Sequence, residues 1–97
     1  MGVTEREERD DLRFKALADH NRRAIVETVY RRPGITLQEL CAEFPISRFA
    51  VMKHINILED AGFIASEKRS IYRVFWFVPG STKSLLESWF SQFIEEE

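Results

Sequence analysis

The stretch from Ser47 to Gly62, SRFAVMKHINILEDAG, constrains the fold of this chain more than any other. Val51, Ile55 and Leu58 recur at i, i+4 and i+7, which places three apolar side chains on one face of a helix. The opposite face carries Phe49, Met52, Lys53 and Asn56, with Arg48 in the first turn. Ser47 is a natural N-cap, because its hydroxyl accepts from an orphan N–H of that turn. Gly62 suits the left-handed residue that ends such a helix. One face for a core and one for a reader is what an element lying in a DNA groove requires.

The segments before it fit that role. Thr36 and Glu39 form a capping box, T-x-x-E, that opens a short helix with Leu37, Leu40, Cys41 and Phe44 as its apolar residues. Pro45 and Ile46 form a tight turn into the longer helix, completing a helix-turn-helix unit. Upstream, a second capping box, Thr4 with Glu7, predicts a first helix from about Thr4 to Ala18. Phe14, Leu17 and Ala18 share one side of it, and Leu12 and Ala16 another. Asp19 caps the next helix, which runs through Arg31 with Ala24, Ile25, Thr28 and Val29 facing inward, until Pro33 and Gly34 stop it.

After Gly62 the period changes from helical to alternating. Phe63 to Lys68 and Ile71 to Val78 read as strands, with Tyr72, Val74, Trp76 and Val78 opposed to Phe75 and Phe77. Glu67-Lys68-Arg69-Ser70 makes the tip of the hairpin, a basic wing placed to meet phosphates or a minor groove. The tip lacks the glycine that eases a two-residue turn.

A last helix is expected from about Ser81, after Pro79-Gly80. Leu85, Leu86, Trp89, Phe90, Phe93 and Ile94 would cover roughly 180° of it, beyond the ~100° that one packed face needs. Such a helix has two neighbours to satisfy, its own domain and either the first helix or a second subunit. We expect a homodimer through the first and last helices, with Leu12, Ala16, Leu86, Trp89, Phe90 and Phe93 at the interface. The competing expectation is that the first helix alone covers the last. The fold class is therefore mainly α with a small β-hairpin, a winged helix-turn-helix in the order ααααββα, as one domain over residues 1–97.

Composition excludes several other classes. With 44% hydrophobic and 12% aromatic residues the chain is a folded one. No apolar run approaches the roughly 20 residues of a membrane span, and no charged-then-apolar leader opens the chain, so no membrane association is expected. One cysteine excludes an internal disulfide, which fits a cytoplasmic location. The net charge of -2 runs against nucleic-acid binding, but its distribution does not. From Leu12 to Lys83 there are 12 Lys and Arg against 7 Asp and Glu, an excess of +5. The acids gather at the ends, at Glu5, Glu7, Glu8, Asp10 and Asp11, and again at Glu95, Glu96 and Glu97.

Three segments resemble the ArsR-type winged-helix repressors. FKALADHNRRAIVETV, from Phe14 to Val29, is similar to the family's Leu-(Ala/Ser)-Asp-Pro-Thr-Arg start before an apolar helix. ITLQELCAEFPISRFAVMKHINILEDAGFI, from Ile35 to Ile64, resembles its helix-turn-helix, with Lys53-His54 where Arg-His is common. EKRSIYRVFWFV resembles its wing. The likeness spans about Leu12 to Phe93 and implies a dimeric repressor that releases its operator on a signal. The chain departs from the pattern in carrying His20-Asn21 for Pro-Thr. The family's metal sensors carry Cys-x-Cys in the third helix, or Asp and His ligands in the last. Here Glu43 stands where a cysteine would follow Cys41, and no histidine follows His54. A zinc or arsenite site needs three or four converging soft or borderline ligands. No metal, cofactor or inducer is therefore assigned.

The DNA-contact candidates are Ser47, Arg48, Phe49, Ala50, Met52, Lys53 and His54 on the reading helix, with Lys68 and Arg69 on the wing. Arg48 suits a bidentate guanine contact, Lys53 a phosphate or base, and Phe49 the thymine methyl groups. The other reading of Phe49 is a partly buried residue closing the turn. His54 sits at the border of the core face and fits either a structural hydrogen bond or a phosphate contact. Cys41 reads as a small core residue, with a redox thiol as the other reading. Lys68, Arg69 and Arg73 would position the duplex rather than read it. No Gly-rich phosphate loop, HExxH or GxSxG occurs, so no enzyme is expected. Two functions fit this sequence, a homodimeric DNA-binding repressor of an inverted repeat and a winged helix that docks a protein on its Phe49–Met52 face.

Overall fold

The computed structural model describes residues 4–94. Its elements are α1 (Glu5–Leu17), α2 (His20–Arg31), β1 (Ile35–Thr36), α3 (Leu37–Ala42), α4 (Arg48–Asp60), β2 (Ile64–Arg69), β3 (Tyr72–Phe77), α5 (Gly80–Ser88) and a 3-10 turn over Phe90–Phe93. Both capping boxes form. Thr4 Oγ1 accepts from Glu7 N while Glu7 returns a carboxylate to Thr4 N, and Thr36 with Glu39 repeats the arrangement. These reciprocal bonds satisfy donors that a helix start otherwise leaves orphaned.

The core is built as the periodicity requires. Ile25 and Val29 from α2, Leu37 and Leu40 from α3, and Val51, Ile55 and Leu58 from α4 converge on Phe63, Ile64 and Phe75 of the hairpin. Leu85 of α5 closes the same cluster, and Cys41, Phe44, Ile46 and Met52 pack against its margin. Cys41 is a half-buried free thiol at the edge of this cluster. Gly62 takes φ +80, and a Cβ there would stand 2.6 Å from Ser81 Oγ. That hydroxyl is buried and donates to Ala61 O at 2.6 Å, fastening the start of α5 to the end of α4.

Four features differ from the sequence expectation. The sheet has three strands in the order β1-β3-β2, because Ile35 and Thr36 pair with Phe75 and Val74 before the chain enters α3. The hairpin ladder extends to Arg69 opposite Tyr72, so the turn is Ser70-Ile71 and the basic residues lie within the strand. Ser70, at φ 59, fills the left-handed slot that a tight hairpin turn demands.

The third difference is the last helix, which stops at Ser88. Trp89 leaves helical geometry at φ -127, and the following residues tighten into a 3-10 turn. Consecutive residues on an α-helix point ~100° apart. Here Trp89 and Phe90 both meet the ring of Phe14 edge-on, at 5.5 and 6.0 Å. Ser91 Oγ and Gln92 Nε2 donate to the Glu87 and Trp89 carbonyls that the break leaves free. The roughly 180° apolar arc on one helix therefore does not exist; an aromatic cluster takes its place.

The fourth correction concerns Ala16. It is fully buried within the protomer, where α1 packs on α2 and α4, so its side chain has no surface to offer an interface. Leu12, Leu86, Trp89, Phe90, Phe93 and Ile94 do remain exposed. Polar bonds fix α1 against α5 beside them: Arg6 donates to Ser88 O at 2.7 Å, and Ser88 Oγ donates to Asp10 at 2.9 Å.

Candidate nucleic-acid interface

The start of α4 is a polar end on an apolar helix. Ser47 Oγ accepts from Ala50 N at 3.1 Å, which caps the first turn and leaves the hydroxyl proton free to donate outward. Arg48 and Lys53 are exposed, and Phe49 is 79% exposed, which rules out the reading in which it closes the turn. Ala50 and Met52 are half-buried, Met52 against the core. Their contribution to an outer surface is therefore smaller than the sequence suggested.

Arg48 also borders a cleft of about 270 Å³ with Thr36, Leu37 and Gln38 at the start of α3 and Ile71, Tyr72 and Arg73 of the wing. The fold thus brings the first turn of α4 and the hairpin turn to one concave surface. Ile71, at the turn, is 82% exposed. Gln38, Ile71 and Tyr72 were missed by reasoning from the sequence, since nothing in its periodicity places α3 beside the wing turn.

The wing's cations divide by strand face. Arg73 donates to Glu59 Oε1 at 2.6 Å and to Ser66 Oγ at 3.2 Å, and Ser66 Oγ donates to Glu59 Oε2 at 2.6 Å. This half-buried network ties the wing to the end of α4, so Arg73 holds the wing in place and has little left for a phosphate. Arg69 is paired with Glu67 at 2.7 Å and lies 4.8 Å over the Trp76 ring. Lys68 points to the opposite face of the hairpin. Among the described residues Arg48, Lys53 and Lys68 have no carboxylate partner.

His54 is half-buried, with Nδ1 3.2 Å from Arg22 Nη1. Its structural hydrogen bond is formed, and the ring faces inward on that side. Arg22 was not singled out from the sequence, although it ends the Asp-His-Asn-Arg segment that carries the family likeness. Asp19, which caps α2 through Asn21 N and Arg22 N, has its carboxyl held below the ordinary 3.8. The Arg22 N–H is the main cause, against a smaller opposing effect of burial.

Among the described residues, no three His, Cys, Asp or Glu side chains gather as metal ligands would, and no helix is long and apolar enough to cross a membrane.

The local geometry is that of a winged helix-turn-helix, and comparison with known proteins agrees. Residues 17–67 match a family model described as a helix-turn-helix domain. The HTH-type transcriptional regulator YuzN of Bacillus subtilis (strain 168) is 39% identical over 85 residues, covering 81% of this chain and 92% of that one. The crystal structure of the ArsR family transcriptional regulator RHA00566 superposes with a TM-score of 0.80 at 30% identity, over 96% of this chain and 92% of that one. At the level of fold alone, the winged helix-turn-helix domain of Mb0332 from Mycobacterium bovis, described as homodimeric, gives a TM-score of 0.70 at 11% identity, over 94% and 89%. The chain belongs to the ArsR-type winged helix-turn-helix transcriptional regulators, a family of DNA-binding proteins.

Proposed function

We propose that this regulator acts as a homodimeric repressor reading an inverted-repeat operator, with α4 of each protomer in a major groove and the wing against the neighbouring backbone. The observation that carries the reading is the unpartnered Arg48, set beside Phe49 and sharing one cleft with the wing turn. A guanidinium free of carboxylates, at the exposed start of a capped helix, suits bidentate contact with guanine O6 and N7. Phe49 offers the apolar surface that thymine methyl groups match. Lys53 and Lys68 supply charge for phosphates, and Arg69 supplies it once released from Glu67.

Dimerisation is supported by the exposed apolar surface that Leu12 of α1, Leu86 of α5, Trp89 and the 3-10 turn present. Contiguous apolar patches of this kind mark interaction sites. The homodimeric state given for Mb0332 agrees with it. Two-fold symmetry then calls for half-sites about one helical turn, ~10–10.5 base pairs, apart. Family membership favours DNA over a protein as the partner of the Phe49 face.

The test compares three proteins on operator and random duplexes. Arg48→Ala should lower the preference for the operator by about 1–3 kcal/mol with little change in nonspecific affinity. Lys68→Ala with Arg69→Ala should weaken binding to every duplex and flatten the salt dependence, by about 0.9 in slope for each phosphate left without its cation. Equal operator binding by all three would remove these roles.

A further inference from the structure

One guanidinium joins the helix of the aromatic surface to the reading helix. Arg22, in the first turn of α2, donates from Nε to Ala16 O at 2.8 Å and from Nη2 to Lys15 O at 3.1 Å. Both are carbonyls of the last turn of α1, and Lys15 O also accepts from the Ala18 N–H at 3.2 Å. The remaining nitrogen, Nη1, reaches Nδ1 of His54 in the middle of α4 at 3.2 Å. A guanidinium only donates, so in this contact Nδ1 is the acceptor. Arg22 is itself held at the backbone, where its N–H donates to Asp19 Oδ1 at 3.1 Å.

We propose that Arg22 and His54 are positioning residues that fix α4 relative to the dimer surface, and so set the half-site spacing the dimer accepts. The proposal rests on the dimeric reading above. In that dimer, α1 carries Leu12 at the shared surface, whereas α4 carries the reader. The distance and angle between the two reading helices therefore depend on how α1 and α4 are joined within each protomer. Apolar contact through Ala16 brings the helices close, but apolar contacts are non-directional and permit sliding. A planar fork bound to two carbonyls and an imidazole is directional, and it fixes the angle. His54 then contributes to recognition through geometry rather than by touching the duplex.

The experiment uses the full chain and a pool of duplexes bearing the selected half-site as an inverted repeat with variable spacers. His54→Leu fills the space without an acceptor, while His54→Asn places a carbonyl oxygen near the position of Nδ1. The wild type and His54→Asn should share one preferred spacing. His54→Leu should lose about fivefold in discrimination against spacers one base pair longer or shorter, the equivalent of one hydrogen bond. Arg22→Lys, which keeps the charge but not the fork, should broaden spacing in the same way and serves as the test if His54→Leu does not fold. An unaltered spacing preference in His54→Leu or Arg22→Lys would overturn the joint. So would a uniform loss of affinity at every spacing, which is the mark of a direct DNA contact, or an Asn variant that behaves like Leu. A wild-type chain that selects half-sites without any preferred spacing would remove the dimeric reading itself, a distinct result.

Discussion

Gly62 shows how much one residue can be asked to do. Its φ of +80 is a conformation that a side chain resists, and its missing Cβ is the space that the Ser81 hydroxyl occupies. Gly62→Ala combines backbone strain with a clash, and should cost about 1–3 kcal/mol. A thermal melt should then fall by several degrees, at ~4–8 °C per kcal/mol for a chain of this size. An unchanged midpoint would contradict this picture of the α4–α5 junction. The sequence marked Gly62 as a helix terminator, because that demand is local. Ser81 as its partner was not legible, since nothing local brings residue 81 to residue 62. Arg22 and Ala16 were obscure for the same reason. A basic residue in a first turn looks solvated until the end of another helix is known to face it. A small apolar residue on a helix flank looks like interface until a third helix covers it.

Among the helices and strands, caps and periods were legible wherever the chemistry was short-range. Thr4 with Glu7, Asp19, Thr36 with Glu39, and Ser47 all cap as their types predict. β1 was not legible, because two residues carry no period and the strand it pairs with, β3, lies far along the chain at Val74 and Phe75. The break at Trp89 was hidden because the apolar run continues through it, and the contacts with Phe14 that accompany it come from another helix. One cap makes a prediction about pH. Asp19 is depressed in the folded state, so its stabilising effect is complete above the ordinary carboxylate range and is lost as pH falls through its folded value. Stability should be insensitive to this group down to about pH 5 and decline below about pH 4. Asp19→Asn keeps a capping oxygen without the titration, so its decline should be shallower. Parallel acid unfolding curves for the two proteins would show that Asp19 does not contribute in this way.

At the scale of the whole chain, the sum of the charges hides how they are distributed. The acids of the N-terminal segment lie on α1, while Arg48, Lys53 and Lys68, which have no carboxylate partner among the described residues, lie on α4 and the wing. A net charge of -2 is therefore no obstacle to a basic reading face. The aromatic surface is organised by Trp89, which meets Phe14, Phe90 and Phe93 edge-on at 5.5, 5.2 and 4.8 Å yet remains 43% exposed. Trp89→Glu places a charge in that surface and should give monomers in light scattering, with operator binding abolished in step. A Trp89→Glu protein that stays dimeric would refute the interface.

A dimer that reads DNA sequence should declare itself when bound duplexes are selected from a random pool at low and moderate salt. One inverted repeat should emerge at both salts, with half-sites about one helical turn apart. Recovery of salt-sensitive but sequence-blind binding, or of no duplex at all, would contradict it.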